Sequence, residues 1–391
     1  MIDTRTRATF SPPILEAKLM AQSTVLPDDL SLLDFSQAAP ATPPPASMLE
    51  VLGEAVKDTA SLHLYGPVLG QPNLREAVAE KTAQLYNGVI RADQIAITSG
   101  CNQAFAATIA ALTTQGDEVI IPTPWYFNHK MWLDMSGVTA VPLNVDTTFL
   151  PDPEIARGLI SQKTRAIALV SPNNPTGVEY PAELIEAFYL LAREFNISLI
   201  LDETYRDFRI SDARAHDLFA DPDWPDALIH LYSFSKSFHM AGHRLGVIAS
   251  SAANLSEIGK FLDTVTICPS GVGQAGALWG LKNLDTWLED ERQEILLRGK
   301  TVRDVFQSLK AQGWILHTSG AYFAYVEHPD AAKHENPAQH ILSKTGILML
   351  PASMFRPEAQ DGGKTQFRVA FANLGSDKIR EMGDRLADFS F

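Results

Sequence analysis

The chain has 391 residues, of which 46% are hydrophobic and 20% are charged, the composition of an ordinary globular protein. The 32 Lys and Arg residues against 46 Asp and Glu residues give a net charge of −14, which argues against binding to nucleic acids or to anionic membranes. A chain of this length can bury the cores of two domains, and its two cysteines show no metal-ligand spacing, so no structural metal site is expected.

The N-terminal part of the chain predicts no targeting segment. The first seven residues carry charge and are not followed by an apolar run, so no signal peptide is expected. A cytoplasmic location is predicted. The proline-rich residues 40–45 predict an extended crossover between two domains. Two uncharged stretches, 95–116 and 264–281, have the length of a membrane helix, but both are interrupted by polar residues or glycine. We therefore expect backbone packed closely around something buried, and no membrane span.

From about residue 70 to 250, short apolar runs alternate with helical patterns. Residues 165–170, 198–201 and 228–231 predict buried strands, and residues 182–195 predict an amphipathic helix. Strands separated by helices of this length favour right-handed crossovers and a mainly parallel sheet. This part of the chain predicts a large α/β domain, which we assign to residues 49–285.

The pattern changes near residue 289, where a long charged helix begins and runs to about residue 312. A strand over 322–326, a helix over 338–345 that Gly346 ends, and a strand over 367–371 are predicted before a terminal helix. These elements predict a smaller α+β domain over residues 286–391, which residues 1–48 join. The predicted fold class is α/β, with a large parallel-sheet domain and a small domain built from both termini.

Polar residues follow five of the apolar runs. In open α/β sheets, ligands bind beyond the carboxyl ends of the strands, so these positions are candidates for a site. Taken singly, each cluster has an ordinary structural explanation as a helix cap, a core aromatic residue, a turn or a solvated lysine. Their recurrence at five strand ends indicates one shared site. The clusters are residues 98–103, 122–126, 171–177, 202–205 and 233–236, with Arg244 eight residues after the last.

The side chains in these clusters match the chemical needs of pyridoxal phosphate. The amine of Lys236 can form a Schiff base with an aldehyde, and the carboxylate of Asp202 can keep a pyridinium nitrogen protonated. Tyr205 and Asn174 can both reach a phenolate oxygen. A helix that starts at a Ser-Gly pair, together with Arg244, suits a phosphate. An aromatic residue after a strand can cover the flat ring.

The ordered set of motifs resembles the class I and II aminotransferases, which are fold-type I pyridoxal-phosphate enzymes, over nearly the whole chain. The resemblance rests on residues 65–75, which match Y-x-x-x-x-G-x-x-x-L-R, on the clusters at 171–177, 202–205 and 233–236, and on residues 367–370. It implies a fold-type I architecture. It also implies a ping-pong transfer of an amino group between an amino acid and a 2-oxo acid.

The resemblance implies a role for each cofactor-site residue. Lys236 would carry the Schiff base and then move a proton between the substrate Cα and the cofactor. Asp202 would pair with the ring nitrogen, Tyr205 and Asn174 would hold the ring oxygen, and Tyr126 would stack on the ring. Six further residues would hold the phosphate through backbone or side-chain groups: Gly100, Cys101, Asn102, Ser233, Ser235 and Arg244.

The resemblance also implies how substrate is bound and how subunits associate. Arg368 would grip the substrate α-carboxylate, for which a planar bidentate donor is suited. Asn174 would also contact the substrate. Ala38 stands where the family usually has glycine, so a tighter substrate pocket is expected. Tyr65 would reach the phosphate of the neighbouring subunit, which predicts a homodimer.

Asp263 stands near the position where dicarboxylate-specific members carry an arginine from the partner chain. This argues against aspartate or glutamate as the preferred amino donor. The aromatic residues Trp125, Tyr126 and Phe127 are compatible with a hydrophobic or aromatic donor. Two alternatives stay open. A carbon–sulfur β-lyase or a cyclising synthase would use the same lysine and aspartate. A ligand-sensing domain without catalysis is less favoured. Such regulators usually carry a basic DNA-binding segment, and this chain has neither the extra length nor the basic charge for one.

Overall fold

The computed structural model describes residues 4–358, 360 and 362–391, so the first three residues of the charged N-terminal segment lie outside it. The strands are β1 (Leu33–Asp34), β2 (Ile95–Thr98), β3 (Glu118–Thr123), β4 (Thr139–Asn144), β5 (Thr164–Val170), β6 (Ser198–Asp202), β7 (Leu228–Ser233), β8 (Gly246–Ala249), β9 (Ile315–Gly320), β10 (Phe323–Glu327), β11 (Ile347–Leu348), β12 (Leu350–Pro351) and β13 (Gln366–Ala370). The helices are α1 (Arg5–Ala8), α2 (Pro13–Ser23), α3 (Ala46–Asp58), α4 (Pro72–Tyr86), α5 (Cys101–Leu112), α6 (Phe127–Ser136), α7 (Pro153–Leu159), α8 (Ala182–Glu194), α9 (Phe234–Ser237), α10 (Ala252–Thr266), α11 (Gly271–Asn283), α12 (Asp285–Ser308), α13 (Pro337–Thr345) and α14 (Ser376–Ala387).

The central sheet has seven strands in the order β2-β8-β7-β6-β5-β3-β4, and every pair is parallel except those that β8 makes. Alternate residues of β5 pack into different cores: Ile167 and Leu169 join one, and Ala166 and Ala168 join the other. Because both faces are buried, the central strands are continuous apolar runs in the sequence. The predicted strands at 165–170, 198–201 and 228–231 are β5, β6 and β7, and the predicted helix is α8.

A second sheet, β12-β13-β10-β9, is antiparallel and packs with α12 and α14. The N-terminal segment joins this part of the molecule, because β1 pairs in parallel with β11, with Leu33 opposite Ile347. Phe35 is fully buried in the same core as Phe306 and Ile379. The predicted fold class is confirmed. The domain limits at residues 48/49 and 285/286 stay a prediction.

The two uncharged stretches contain α5 and α11. In the part of the chain that the structure describes, no helix is long and apolar enough to cross a membrane. The glycines of α11 allow close packing, since a Cβ at Gly280 would lie 2.8 Å from a ring carbon of Phe238, and one at Gly276 would lie 3.0 Å from Met240 Cε. This part of the uncharged stretch therefore packs closely against neighbouring side chains.

Candidate active site

The five polar clusters meet in one cavity of about 310 Å³ beside the carboxyl end of the central sheet. Asp202 is the last residue of β6 and Ser233 the last of β7, so the parallel strands deliver both to the same edge. Strand β13 of the second sheet adds an arginine from the opposite side. The sequence-predicted residues that line the cavity are Ala38, Cys101, Asn102, Tyr126, Asn174, Asp202, Tyr205, Ser233, Ser235, Lys236, Arg244 and Arg368.

Lys236 lies in the one-turn helix α9, where the hydroxyl of Ser233 accepts a hydrogen bond from the backbone N–H of Ser235 at 3.2 Å. The Lys236 Nζ donates to the backbone oxygen of Ala38. Burial lowers the pKa of this amine to about 8, and the nearby guanidinium groups of Arg244 and Arg368 contribute to the lowering by repulsion. A substantial fraction of the amine is therefore neutral, and nucleophilic, near physiological pH.

Asp202 is buried and accepts a hydrogen bond from the backbone N–H of Thr204 at 3.0 Å. Its Oδ2 lies 3.3 Å from Nε2 of His129. Burial raises the pKa of Asp202, but the contacts with His129 and Thr204 outweigh it, and the pKa is lowered. The cavity therefore contains a fixed carboxylate that is suited to a cationic ring nitrogen.

His129 is a site residue that the sequence analysis missed. It lies on α6, and its buried ring stacks on Phe105 with a centroid distance of 3.8 Å. The available signal was its spacing of three residues from Tyr126, which places both on the same side of the helix start. A single buried histidine is also common in ordinary cores, so spacing alone did not mark it.

Tyr205 and Asn174 are both buried beside Lys236, whose Nζ lies 6.0 Å from the centre of the Tyr205 ring. Burial raises the pKa of the Tyr205 phenol, and the neighbouring Tyr126 raises it further, so it is a neutral hydrogen-bond donor at physiological pH. The Asn174 Oδ1 accepts a hydrogen bond from Arg368 at 2.9 Å.

Arg368 is only 1% exposed, yet its guanidinium is incompletely satisfied. One Nη donates to Asn174, and the other donates to the backbone oxygen of Ser36. The Nε is buried without a hydrogen-bond partner among the described residues. Burial lowers the pKa to about 10, so the group stays cationic. A buried cation with a free N–H at a cavity is suited to an anion. Three aromatic rings lie 5.0 to 5.9 Å from its guanidinium carbon: Phe127, Phe323 and Phe355.

The opposite end of the cavity is built for a second anion. Helix α5 begins after Gly100, which has φ +91° and makes no side-chain cap, so the first N–H groups of the helix are left open. Arg244 lies close by, with Nη1 at 3.5 Å from the hydroxyl of Ser235. A Cβ at Gly100 would lie 2.4 Å from Nη2 of Arg244. Only glycine permits this approach of the guanidinium to the helix start.

Tyr126 and Trp125, both named in the sequence analysis, lie in different places relative to the cavity. Tyr126 lines the cavity, donates to Asn102 at 3.2 Å and accepts from Asn128 at 2.9 Å, and burial raises its pKa to about 12. Trp125 is buried and packs outside the cavity, with Lys130 over its ring at 5.6 Å. Of these two residues, Tyr126 is the one available to a ligand in the cavity.

Tyr65 does not line the cavity of its own chain. It is 82% exposed, and the next residue, Gly66, donates its N–H to the Cys268 sulfur at 3.3 Å. Gly100 is also not among the residues that line the cavity, and it is the N-cap residue of α5. The remaining predicted site residues are brought together, and the cations among the described residues that line the cavity are Lys236, Arg244 and Arg368.

The chain is similar to known proteins over most of its length. Residues 31–386 match the family model for aminotransferases of class I and II. An aromatic aminotransferase from Arabidopsis thaliana is 26% identical, with 99% of this chain and 95% of that protein covered. An aspartate aminotransferase from Sulfurisphaera tokodaii is 28% identical over 83% of this chain and 82% of its own.

Solved structures show the same architecture. An aspartate aminotransferase from Thermus thermophilus with maleate has a TM-score of 0.87 at 24% identity, with 99% of both chains covered. An aromatic aminotransferase from Pyrococcus horikoshii has a TM-score of 0.83 at 26% identity, over 91% of this chain and 95% of its own.

Proposed function

Because the chain belongs to the class I and II aminotransferases, which depend on pyridoxal phosphate, we propose that it passes the amino group of a hydrophobic or aromatic amino acid to a 2-oxo acid by a ping-pong mechanism. The observation that supports this best is the meeting of Lys236, Asp202 and Arg368 in one cavity. These are an amine, a fixed carboxylate and a fixed guanidinium, the groups needed to hold a cofactor and an amino acid together.

The residues present fit pyridoxal phosphate. Asp202 would hold the ring nitrogen and keep it protonated, and Tyr205 and Asn174 would bind the ring oxygen. When bound, the cofactor supplies an aldehyde that condenses with amines and a protonated ring that accepts the electrons of the broken Cα–H bond. The open N-terminus of α5 and the closely approaching Arg244 would bind the phosphate.

Lys236, Arg368 and Tyr126 have different roles in the proposed reaction. Lys236 would be the residue that attaches the cofactor, and its neutral amine would move a proton between the substrate Cα and the cofactor. Arg368 orients the substrate through its carboxylate, which keeps the Cα–H bond within reach of that amine. Tyr126 would cover one face of the ring.

The hydrophobic or aromatic donor is proposed from the lining of the cavity. All three cations of this chain that line the cavity have proposed tasks with the cofactor or the α-carboxylate, and Asp263 stands near the position where dicarboxylate-specific members carry an arginine from the partner chain for the second carboxylate. Ile14 and Phe127 contribute apolar surface to the lining, and Ala38 narrows the pocket. The relatives named above include both an aromatic and an aspartate aminotransferase. They support the class of reaction and do not identify the side chain of the amino donor.

A screen of single amino donors tests the proposed function. We expect hydrophobic or aromatic amino acids to bleach the absorbance band of the bound cofactor without an acceptor, and a 2-oxo acid to restore it. Release of pyruvate and ammonia from a cysteine conjugate with no acceptor would instead support the β-lyase. Aspartate as the fastest donor would contradict the proposed donor class and leave the aminotransferase reaction standing.

Gly100→Ala is expected to weaken pyridoxal phosphate binding by about 10- to 100-fold. The new methyl group would displace Arg244 from the start of α5, in addition to the strain of a left-handed φ. Gly116→Ala is the matched control, because Gly116 has the same φ of +91° and no atom lies within 4 Å of the place that its new methyl group would take. Equilibrium dialysis of the cofactor measures both. Equal losses in the two variants would show that backbone strain alone is responsible.

The attachment of the cofactor is expected to depend on pH. The neutral form of Lys236 is the reactive one, so the rate of cofactor incorporation into cofactor-free protein should rise with pH and level off above about 8. Arg368→Gln removes one repelling cation and leaves Arg244 for the phosphate, so the midpoint should move to higher pH. Stopped-flow absorbance measures the rate, and Arg193→Gln, a surface arginine paired with Asp221, should leave the midpoint unchanged.

We also propose a homodimer in which Tyr65 reaches the cofactor phosphate of the partner. The exposure of Tyr65 and of its neighbour Leu64, which is 71% exposed, supports a covered position in an assembly. Mixed dimers of Tyr65→Ala and Lys236→Ala chains should regain about half of the wild-type activity at limiting cofactor, because one of their two sites is intact. No recovery, with mixing verified by differently tagged chains, would contradict the shared site.

A further inference from the structure

A second cavity, of about 600 Å³, lies against the core on one face of the central sheet and shares no lining residue with the first. Its floor includes Tyr86, Tyr232 and Phe238, which belong to the core on that face. Its walls come from α4, the end of α11, the start of α12 and the segment 206–215. Nothing in the reaction proposed above uses this space.

Arg206 is the unusual group of this cavity. Its side chain is only 7% exposed, and its guanidinium carbon lies 3.6 Å from the centre of the Tyr232 ring. Its Nε and one Nη are buried without a hydrogen-bond partner among the described residues, and its nearest carboxylate, Asp207, is 3.8 Å away. Asp207 already accepts a hydrogen bond from Tyr232 at 2.8 Å. Two N–H groups of this buried guanidinium therefore lack a hydrogen-bond acceptor in the described part of the chain, which the oxygens of a bound anion would supply.

The other charges of the cavity are already matched. Three of the other lining cations have a carboxylate within 2.7 Å, and these are Lys81, Arg214 and Arg292. Arg209 donates to the backbone oxygen of Ala213 at 2.6 Å and lies 3.7 Å from Glu179. Burial lowers the pKa of Arg206, but the nearby oxygens of Tyr86, Tyr232, Asp207 and Glu203 outweigh it, and the pKa is raised. Arg206 is therefore a permanent positive charge.

The rest of the lining is suited to an apolar body. Leu85, Leu281 and Leu288 face the cavity together with the aromatic floor. We propose that this cavity is a binding site for a small organic carboxylate with an apolar or aromatic body, its carboxylate on Arg206 and its body against the three leucines. The site is separate from the proposed aminotransferase reaction and does not depend on it.

The test counts bound ligand on the intact holoenzyme with para-fluorophenylacetate as the probe. Fluorine NMR and equilibrium dialysis give the total bound, and the cofactor absorbance reports the share bound in the first cavity. Leu85→Glu places a carboxylate in the wall of the second cavity at a position that is 41% exposed, so folding is retained. Leu190→Glu is the matched control on α8, at a position that is 53% exposed and outside the cavity.

We expect two equivalents per chain in the wild type and in Leu190→Glu. The equivalent that leaves the cofactor absorbance unchanged should bind about tenfold more weakly, or not measurably, in Leu85→Glu and in Arg206→Gln. The equivalent in the first cavity serves as an internal check that each variant is folded. A wild type with no bound equivalent that leaves the cofactor absorbance unchanged would overturn the proposal, and so would such an equivalent that both variants retain. Benzoate and inorganic phosphate are then compared as competitors of para-fluorophenylacetate in the second cavity. If phosphate displaced the probe at the same concentration as benzoate, the role of the apolar walls would be overturned.

Discussion

Lys236→Ala is expected to lower the aminotransferase rate by about 10⁴-fold, the largest effect of any single substitution in the chain. The substitution removes both the amine that attaches the cofactor and the base that moves the Cα proton. The depressed pKa of this lysine, about 8, suits it to both tasks, since a typical lysine would be almost fully protonated at neutral pH. Single-turnover absorbance with the best amino donor measures the loss.

Two controls separate this chemical role from a structural one. Lys130→Ala removes another partly buried lysine, one that pairs with Asp134 outside the cavity, and should leave the rate unchanged. Added methylamine should restore part of the rate of Lys236→Ala, because a small amine can enter the space left by the side chain. Substantial activity of Lys236→Ala without added amine would contradict the assignment.

The core of this site could be predicted from the sequence because parallel strands buried on both faces leave an unmistakable pattern. Strands β5, β6 and β7 are continuous apolar runs, and the polar residue that ends each run marks the edge where ligands bind. The strand pattern by itself therefore brings Asp202 and Lys236 to the same edge. Edge strand β4 shows the limit, because only Leu143 of its residues is buried and a proline interrupts its short apolar run.

Features that depend on packing between distant segments could not be predicted. His129 reaches Asp202 because α6 packs against α5 and β4, and its position in the sequence carries no sign of that contact. The second cavity is a similar case, since Arg206 is one of many charged residues until α4 and α12 enclose it. Arg368 was assigned through its family motif. Its hydrogen bond to the backbone oxygen of Ser36 could not be predicted, because it forms only where the N-terminal segment packs against the second sheet.

Arg368→Ala is expected to lower kcat/KM for amino acids by about 10²- to 10³-fold, mostly through KM, while the absorbance band of the bound cofactor stays in place. Arg368 is the buried cation at the substrate end of the cavity, and its unpartnered Nε leaves capacity for a carboxylate. Arg368→Lys keeps the charge without the planar fork, so it should recover only part of the loss. If the absorbance band disappears instead, the residue holds the cofactor and its assignment to substrate is wrong.

A substrate comparison distinguishes a lost carboxylate contact from a distorted cavity. The wild type should prefer an amino acid strongly over the amine that lacks its carboxylate, for example phenylalanine over phenethylamine. In Arg368→Ala this preference should collapse, because the amino acid loses its anchor and the amine never used it. A general distortion would slow both compounds equally and keep the ratio. The ratio therefore reports the guanidinium–carboxylate contact itself, even though Arg368 also bonds to Asn174 and helps to hold the cavity together.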